Sequence, residues 1–367
     1  MIKMVTDREH EILKLVKQNP MISQQELATH LGIARSSVAV HISNLMKKGE
    51  IRGKGYVIGG EQYVVVIGGL TRDVGGKPFS KLIMEDSNPG IVNTTMGGVG
   101  RNIAHNMSLM GIETKMLTAV GDDDVGQSIR IHSPHEKLDF NDVLSVQGQK
   151  TATYLYIADQ NGDMISAIAD MRVFDFISPE YIENKKMLIS NAKAIVIDAN
   201  IPSETMMKLT ELYDGPIFVD PVSTEKGRKL KPFLKYIHTL KPNKMEAEML
   251  SGVSIVDEKT LKEAANILLM KGVKRVFISL GRYGVYAACE NKIIKAPIMP
   301  VKLANVTGGG DCFMAGLVYS YLNDFSFEKT VKFSLAASAM AVEGEQTINE
   351  DITIERILAR AGIRRTS

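Results

Sequence analysis

Apolar positions in the first 59 residues recur at helical spacing. In residues 7–18 (DREHEILKLVKQ), Ile12, Leu13, Leu15 and Val16 fall on one side of a helix, with Thr6 or Asp7 placed to cap it and Asn19-Pro20 to stop it. Ser23, followed three residues later by Glu26, makes a capping box for a short second helix that carries Leu27 and Leu31 and ends at the Gly32 turn. A third helix, about 34–48, turns Val38, Ile42 and Leu45 inward and leaves Arg35, Ser36, Ser37, His41 and Lys47 outward. Residues 50–58 (EIRGKGYVI) read as two short strands around Gly53-Lys54-Gly55. From residue 60 the pattern changes. Short β-rich apolar runs at 63–70, 194–200, 216–222 and 275–281 alternate with helical stretches such as 203–213 and 258–271, as buried parallel strands with crossover helices do. Residues 71–95 and 150–170 instead alternate polar and apolar, the pattern of a small half-exposed sheet standing off the main one.

Length and composition agree with two globular domains. The chain has 367 residues, 44% hydrophobic and 23% charged with 31 glycines, which excludes disorder, collagen and coiled coil. The near-neutral charge of +2 hides an asymmetry: residues 1–59 carry +4 and residues 60–367 carry −2, so nucleic acid is suggested at one end only. Two cysteines, Cys289 and Cys312, cannot build a disulfide framework or a metal cluster of their own and fit a reducing compartment. No apolar run approaches the ~18 residues of a transmembrane helix, and the N-terminus becomes charged too early for a secretory signal, so a cytoplasmic protein without a membrane partner is expected.

The first 59 residues resemble the winged helix-turn-helix heads of bacterial regulators. That resemblance implies double-stranded DNA as partner, with Arg35, Ser36, Ser37 and His41 on the recognition helix and Arg52 and Lys54 on phosphate. A basic helical module for protein contacts is the alternative. Operators commonly need two half-sites, so a homodimer is expected.

Two segments beyond residue 60 carry chemistry. In Asn305–Leu317 (NVTGGGDCFMAGL), three glycines precede Asp311 and an amphipathic run, placing a flexible turn at a helix start where N–H groups and the positive dipole end favour an anion. Asp311 beside such an anion can take a proton from an attacking hydroxyl; as a plain N-cap it would do nothing further. Met96–Gly111 (MGGVGRNIAHNMSLMG) again sets glycines before a helix, with Asn102 in the first turn either bonding ligand hydroxyls or solvated. There is no GxxxxGK[ST] loop, no protein-kinase HRD or DFG, no Gly-x-Ser-x-Gly elbow and no His-Glu-x-x-His helix.

Taken together, GGVGRNIAHN and NVTGGGD, with KPNKMEAE (241–248) between them, resemble the signatures of the ribokinase-like carbohydrate and nucleoside kinases. The resemblance covers residues 62 to about 360; DSNPG (86–90), residues 218–223 and 238–252, and the Asn305 variant of the glycine signature look most like pseudouridine kinases. It implies a three-layer α/β sandwich with a mainly parallel sheet and a small β-lid, and ATP-dependent phosphorylation of a nucleoside 5′-hydroxyl. Asp311 would be the general base and Gly308, Gly309 and Gly310 the anion hole. Asp73, Gly97, Gly98, Asn102 and Asn200 would hold the sugar, and Thr151, Thr153 and Asp170 of the lid would face the base. Ser279, Gly281, Gly284, Thr307 and Leu335 would border ATP, and Glu246 with Asn243 would position Mg²⁺ through water; without the resemblance, KPN followed by Glu246 reads as a capped helix start with an exposed glutamate. A kinase for another nucleoside or for ribose, and a regulator that uses the kinase fold as a ligand sensor, are the rival readings.

Overall fold

The computed structural model describes residues 5–19, 22–51, 62–129, 138–305 and 307–364. The chain divides into two units, Met1–Gln62 and Tyr63–Ser367.

In the first unit, α1 (Asp7–Gln18), α2 (Gln24–Leu31) and α3 (Arg35–Lys47) form where periodicity and caps predict them. Thr6, rather than Asp7, caps α1, and its capping box with Glu9 is repeated by Ser23 and Glu26 on α2, which Gly32 closes in the left-handed region. Ile12, Val16, Leu27, Val38, Ile42 and Leu45 make the core. Glu9 is 1% exposed and pairs with Lys48 at 2.6 Å, tying the start of α1 to the end of α3. Burial works to raise the Glu9 pKa, but Lys48 and the Thr6 bonds outweigh it and hold the carboxyl below its ordinary value. Arg35, Ser36 and Ser37 are exposed at the start of α3, and His41 is half-buried. Arg52, Lys54 and the strands expected around them lie outside the described residues.

The strands of the second unit, in chain order, are β1 (Tyr63–Ile67), β2 (Thr71–Pro78), β3 (Gly90–Gly97), β4 (Glu113–Leu117), β5 (Ala119–Gly121), β6 (Leu144–Val146), β7 (Thr153–Ala158), β8 (Met164–Asp170), β9 (Ala194–Asp198), β10 (Ile217–Asp220), β11 (Thr239–Leu240), β12 (Arg275–Ser279), β13 (Val285–Cys289) and β14 (Lys292–Ala296). The main sheet runs β14-β13-β12-β11-β10-β9-β1-β4. Its strands from β4 to β12 are parallel, while β13 and β14 turn back antiparallel. Continuous apolar runs suit such strands because alternate side chains enter different cores. Val64 and Val66 join Ile103, Met107, Phe313 and Phe333 on one face. Val65 and Ile67 join Phe174, Met206, Leu230 and Phe233 on the other. The result is the three-layer ribokinase-like architecture.

Connectivity fixes where a ligand can bind. From β1 the chain steps to β4 on one side and then returns to β9 on the other, so the order reverses between β1 and β9 and a crevice opens outside their carboxyl ends. The segments of alternating polarity form a second sheet, β3-β2-β7-β8. Its register puts Asp73, Thr95, Tyr154 and Ala169 on one face and Arg72, Met96, Thr153 and Asp170 on the other. Val92, Leu155 and Ile168, all exposed, share that second face. Among the described residues, no helix is long and apolar enough to cross a membrane.

Candidate active site

The crevice is organised around a carboxylate that the sequence reading passed over. Asp198, fully buried at the end of β9, accepts hydrogen bonds from the backbone N–H of Gly69 (2.8 Å), Gly100 (2.8 Å) and Asn200 (2.9 Å). Burial pushes its pKa up against these donors and the charge of Lys226. The turn after β1 and the first turn of α4 (Val99–Leu109) are thereby fastened to β9. Gly98 sits at φ +95°, and a Cβ there would stand 2.5 Å from the Gly69 carbonyl oxygen. Backbone must pass backbone here, which is why the turn is built from glycine.

Asp73 stands on the lid face just described. Its Oδ1 accepts from the Thr71 hydroxyl at 2.6 Å, and burial raises its pKa against that bond and the charge of Arg101. Gly97, diagonal to it on β3 and paired with Thr71, leaves the room that this carboxylate fills; a Cβ there would collide with it. Asn102 is buried one turn into α4, and its Nδ2 donates to Asp311 Oδ2 at 3.0 Å. Asn200 turns its Oδ1 to Lys226 Nζ at 2.6 Å.

Across the crevice, Gly308 at φ +80° opens the helix Gly309–Leu322 without a side-chain cap, so its leading N–H groups are left for another acceptor. Asn305 shapes the approach: its Oδ1 accepts from both the N–H and the hydroxyl of Thr307 (2.9 and 2.7 Å), and its Nδ2 donates to Glu345 O at 3.2 Å. Asp311 follows in the first turn, its pKa pushed up to about 7 by burial and by Asp220, against Lys241 and Asn102. Lys241, directly after β11, pairs with Asp220 at 2.8 Å, and its Nζ lies 3.2 Å from where a Cβ on Gly310 would be. Asp220 and Lys241 also escaped the sequence reading. The signal they leave is a charged residue at or just past the end of a strand, as in IFVD and HTLK.

Asn243 and Glu246 form a reciprocal capping box at 2.8 and 2.9 Å, yet Glu246 is only 3% exposed. The helix start is real and the glutamate is not a surface residue. Burial, helped by Asp220, pushes its pKa up to about 7. No group of three or more His, Cys, Asp or Glu among the described residues could hold a metal ion directly. A donor set this sparse suits an ion that keeps its waters and takes phosphate oxygens from substrate.

Ser279 ends β12, with its Oγ 3.5 Å from Pro242 O. Gly281 (φ +56°) and Gly284 (φ +94°) frame the turn into β13, and a Cβ at Gly284 would strike Ala296 O. Leu335 is buried in the core, while Val342 and Ser338 of the same helix lie closest to Gly309. Two lid assignments stand apart from Asp73. Thr151 is buried, its hydroxyl donating to Asp123 at 2.6 Å and accepting from Gly121 N at 3.1 Å. Asp170, like Thr153, lies on the opposite lid face and is paired with Arg172 at 2.6 Å. Alternation alone does not say which face of a sheet meets the crevice.

A lidded crevice at the carboxyl ends of parallel strands, with an uncapped glycine helix start facing a carboxylate, defines a phosphotransferase of the ribokinase fold. The chain belongs to the pfkB family of carbohydrate kinases, whose model matches residues 61–354. Residues 6–52 match a winged helix-turn-helix DNA-binding model. The chain is 34% identical over 97% of its length to an uncharacterized sugar kinase, YeiI, of Escherichia coli, covering 99% of that protein. It is 38% identical over 82% of its length to the pseudouridine kinase of the same organism, covering 96% of it. In fold it is similar to Arabidopsis thaliana ribokinase, solved with ribose and ATP, with a TM-score of 0.75 at 21% identity over 83% of this chain and 100% of that one.

Proposed function

We propose that the second unit transfers the γ-phosphoryl group of ATP to the 5′-hydroxyl of a nucleoside, pseudouridine foremost. The observation that carries this reading is the Asp311 carboxylate at an uncapped glycine helix start, bonded to Asn102 of the other glycine turn. Asp311 takes the hydroxyl proton, and Gly308, Gly309 and Gly310 offer N–H groups to charge on the phosphoryl oxygens. Asp73, Gly97, Gly98, Asn102 and Asn200 hold the sugar, and Ser279, Gly281, Gly284 and Thr307 border the nucleotide. Mg²⁺, reached through water by Glu246 and Asn243, would neutralise phosphate charge. The similarity to a pseudouridine kinase supports the choice of acceptor.

A sugar acceptor is the second reading, favoured by the YeiI similarity, which spans both units. A phosphorylation screen of the purified protein over pseudouridine, uridine, inosine, adenosine and ribose decides. A site that pairs the extra ring N–H of pseudouridine rejects uridine by orders of magnitude. A uridine efficiency within about threefold of pseudouridine refutes that specificity, and preference for ribose overturns pseudouridine as the substrate.

The first unit is proposed to bind double-stranded DNA through Arg35, Ser36, Ser37 and His41, with Arg52 and Lys54 on phosphate, as part of a cytoplasmic homodimer. The exposed apolar lid face of Val92, Leu155 and Ile168 supports self-association. Sedimentation of the wild type and of Ile168→Lys tests it: a dimer lost in the variant is expected, and a monomeric wild type ends the proposal.

A further inference from the structure

We infer that Lys241 is a catalytic residue, the cation that contacts the phosphoryl group in transfer, and that Asp220 is the residue that positions it. The inference rests on the kinase reading above and gives a role to a side chain that neither the glycine turns nor the Asn243–Glu246 pair accounts for.

Three observations meet at this point. Lys241 and Arg101, each 7% exposed, are the buried lysine and arginine among the described residues, and Lys241 is the one beside the glycine helix start, 3.2 Å from the Cβ position of Gly310. Any side chain at Gly310 would compete with the ammonium for that space. Next, both oxygens of Asp220 are committed: Oδ2 to Lys241 Nζ at 2.8 Å and Oδ1 to the Val222 N–H at 2.8 Å. Val222 sits at φ +65°, a region that a β-branched residue enters only under strain. Strain of this kind persists where surrounding structure holds it for a purpose. Here it presents an N–H to the carboxylate that grips the lysine. Last, Lys241 lies where the charges of Asp220, Asp311 and Glu246 converge, so the same ammonium neighbours both the proposed base and the glycine helix start.

The step balances as follows. The acceptor oxygen bonds to the γ-phosphorus as the bond from that phosphorus to the β,γ-bridging oxygen breaks. The hydroxyl proton passes to Asp311, the bridging electron pair leaves with ADP, and Lys241 donates an N–H to a phosphoryl oxygen without losing its proton. An ammonium in an enclosed, weakly screened site is most effective at charge that grows in the transition state.

A buried ion pair can also be purely structural, and a neutral replacement of similar volume then often costs nothing. The test therefore uses the full-length protein with Lys241→Gln and with the neutral pair Lys241→Met/Asp220→Asn, which leaves no unpaired buried charge. Binding of ATP and of ADP is measured calorimetrically without acceptor, so the result does not depend on which acceptor is correct. Both variants are expected to weaken ATP about tenfold or more relative to ADP, because only ATP carries the γ-phosphoryl group, and to lower turnover about 10²- to 10³-fold. Equal weakening of ATP and ADP, or wild-type turnover in the neutral pair, overturns the inference. A wild type that discriminates ATP from ADP through Lys241 yet ignores pseudouridine overturns only the substrate assignment.

Discussion

The side-chain amide of Asn102 and the carboxylate of Asp311 are hydrogen-bonded at 3.0 Å although 209 residues separate them in the chain. The contact joins the two glycine-led helix starts, so the residue proposed to hold acceptor hydroxyls touches the residue proposed to take their proton. Asp311→Asn is expected to lower turnover ~10²- to 10⁴-fold while leaving nucleoside binding nearly intact. With its pKa near 7, wild-type kcat/KM should rise with pH up to about that value and then level. The variant should lack this limb; a rate profile that keeps the same rise would remove Asp311 as the base.

The same carboxyl also predicts a stability signature. Asp311 titrates near 3.8 in an unfolded chain and near 7 when folded, so between those values the native state holds a proton that the unfolded state releases. Its contribution is complete below the lower value and is lost as pH rises through the upper. Asp311→Asn should therefore melt at higher temperature than wild type at pH 8, with the gap closing toward pH 4. Melting curves of the ligand-free proteins read this directly, and a gap that widens in acid would contradict it.

Gly97 and Asp73 give a coupled pair. Gly97→Ala thrusts a methyl group into the Asp73 carboxylate, and Asp73→Ala removes that carboxylate. Each should raise the acceptor KM about 5- to 100-fold, from ~1–3 kcal/mol of lost or unpaired hydrogen bonding, with little change in ATP affinity. The double variant should be no worse than Asp73→Ala alone, because the collision then has no partner. Additive losses would show that Gly97 serves some other purpose.

What was legible in the sequence follows the range of the interactions. Ser23 with Glu26, and Val38, Ile42 and Leu45, could be read because caps and helical faces are set within a few residues. The lid could be found because alternation is local, but alternation does not say which face meets the crevice: Thr153 and Asp170 share the face opposite Asp73, and facing depends on what the sheet packs over. Asp198, Asp220 and Lys241 left a weaker trace. Each is a single charge at a strand end, and its partners, such as Gly69 129 residues away, are chosen by the order of strands in the sheet.

For the first unit, Arg35→Ala is expected to reduce preference for an inverted-repeat operator over random DNA. Lys54→Ala should weaken both alike and lower the salt slope by about one unit. If nucleoside alters the affinity for DNA, DNA must alter the affinity for nucleoside by the same factor. Fluorescence anisotropy on a promoter fragment, with and without pseudouridine, measures these effects; absence of binding at low salt would end the DNA assignment.

The three hydrogen bonds of Asp198 also set an order of events during synthesis. Gly69 and Gly100 leave the ribosome long before residue 198, and until β9 arrives their N–H groups lack the acceptor that shapes both turns. A nascent chain that ends within β8 therefore carries most of the residues proposed to hold the sugar without the carboxylate that shapes their two turns. On the proposed reading, products truncated before β9 should be unable to trap a sugar or nucleoside, because the strand that closes the switch point also supplies the acceptor for both turns.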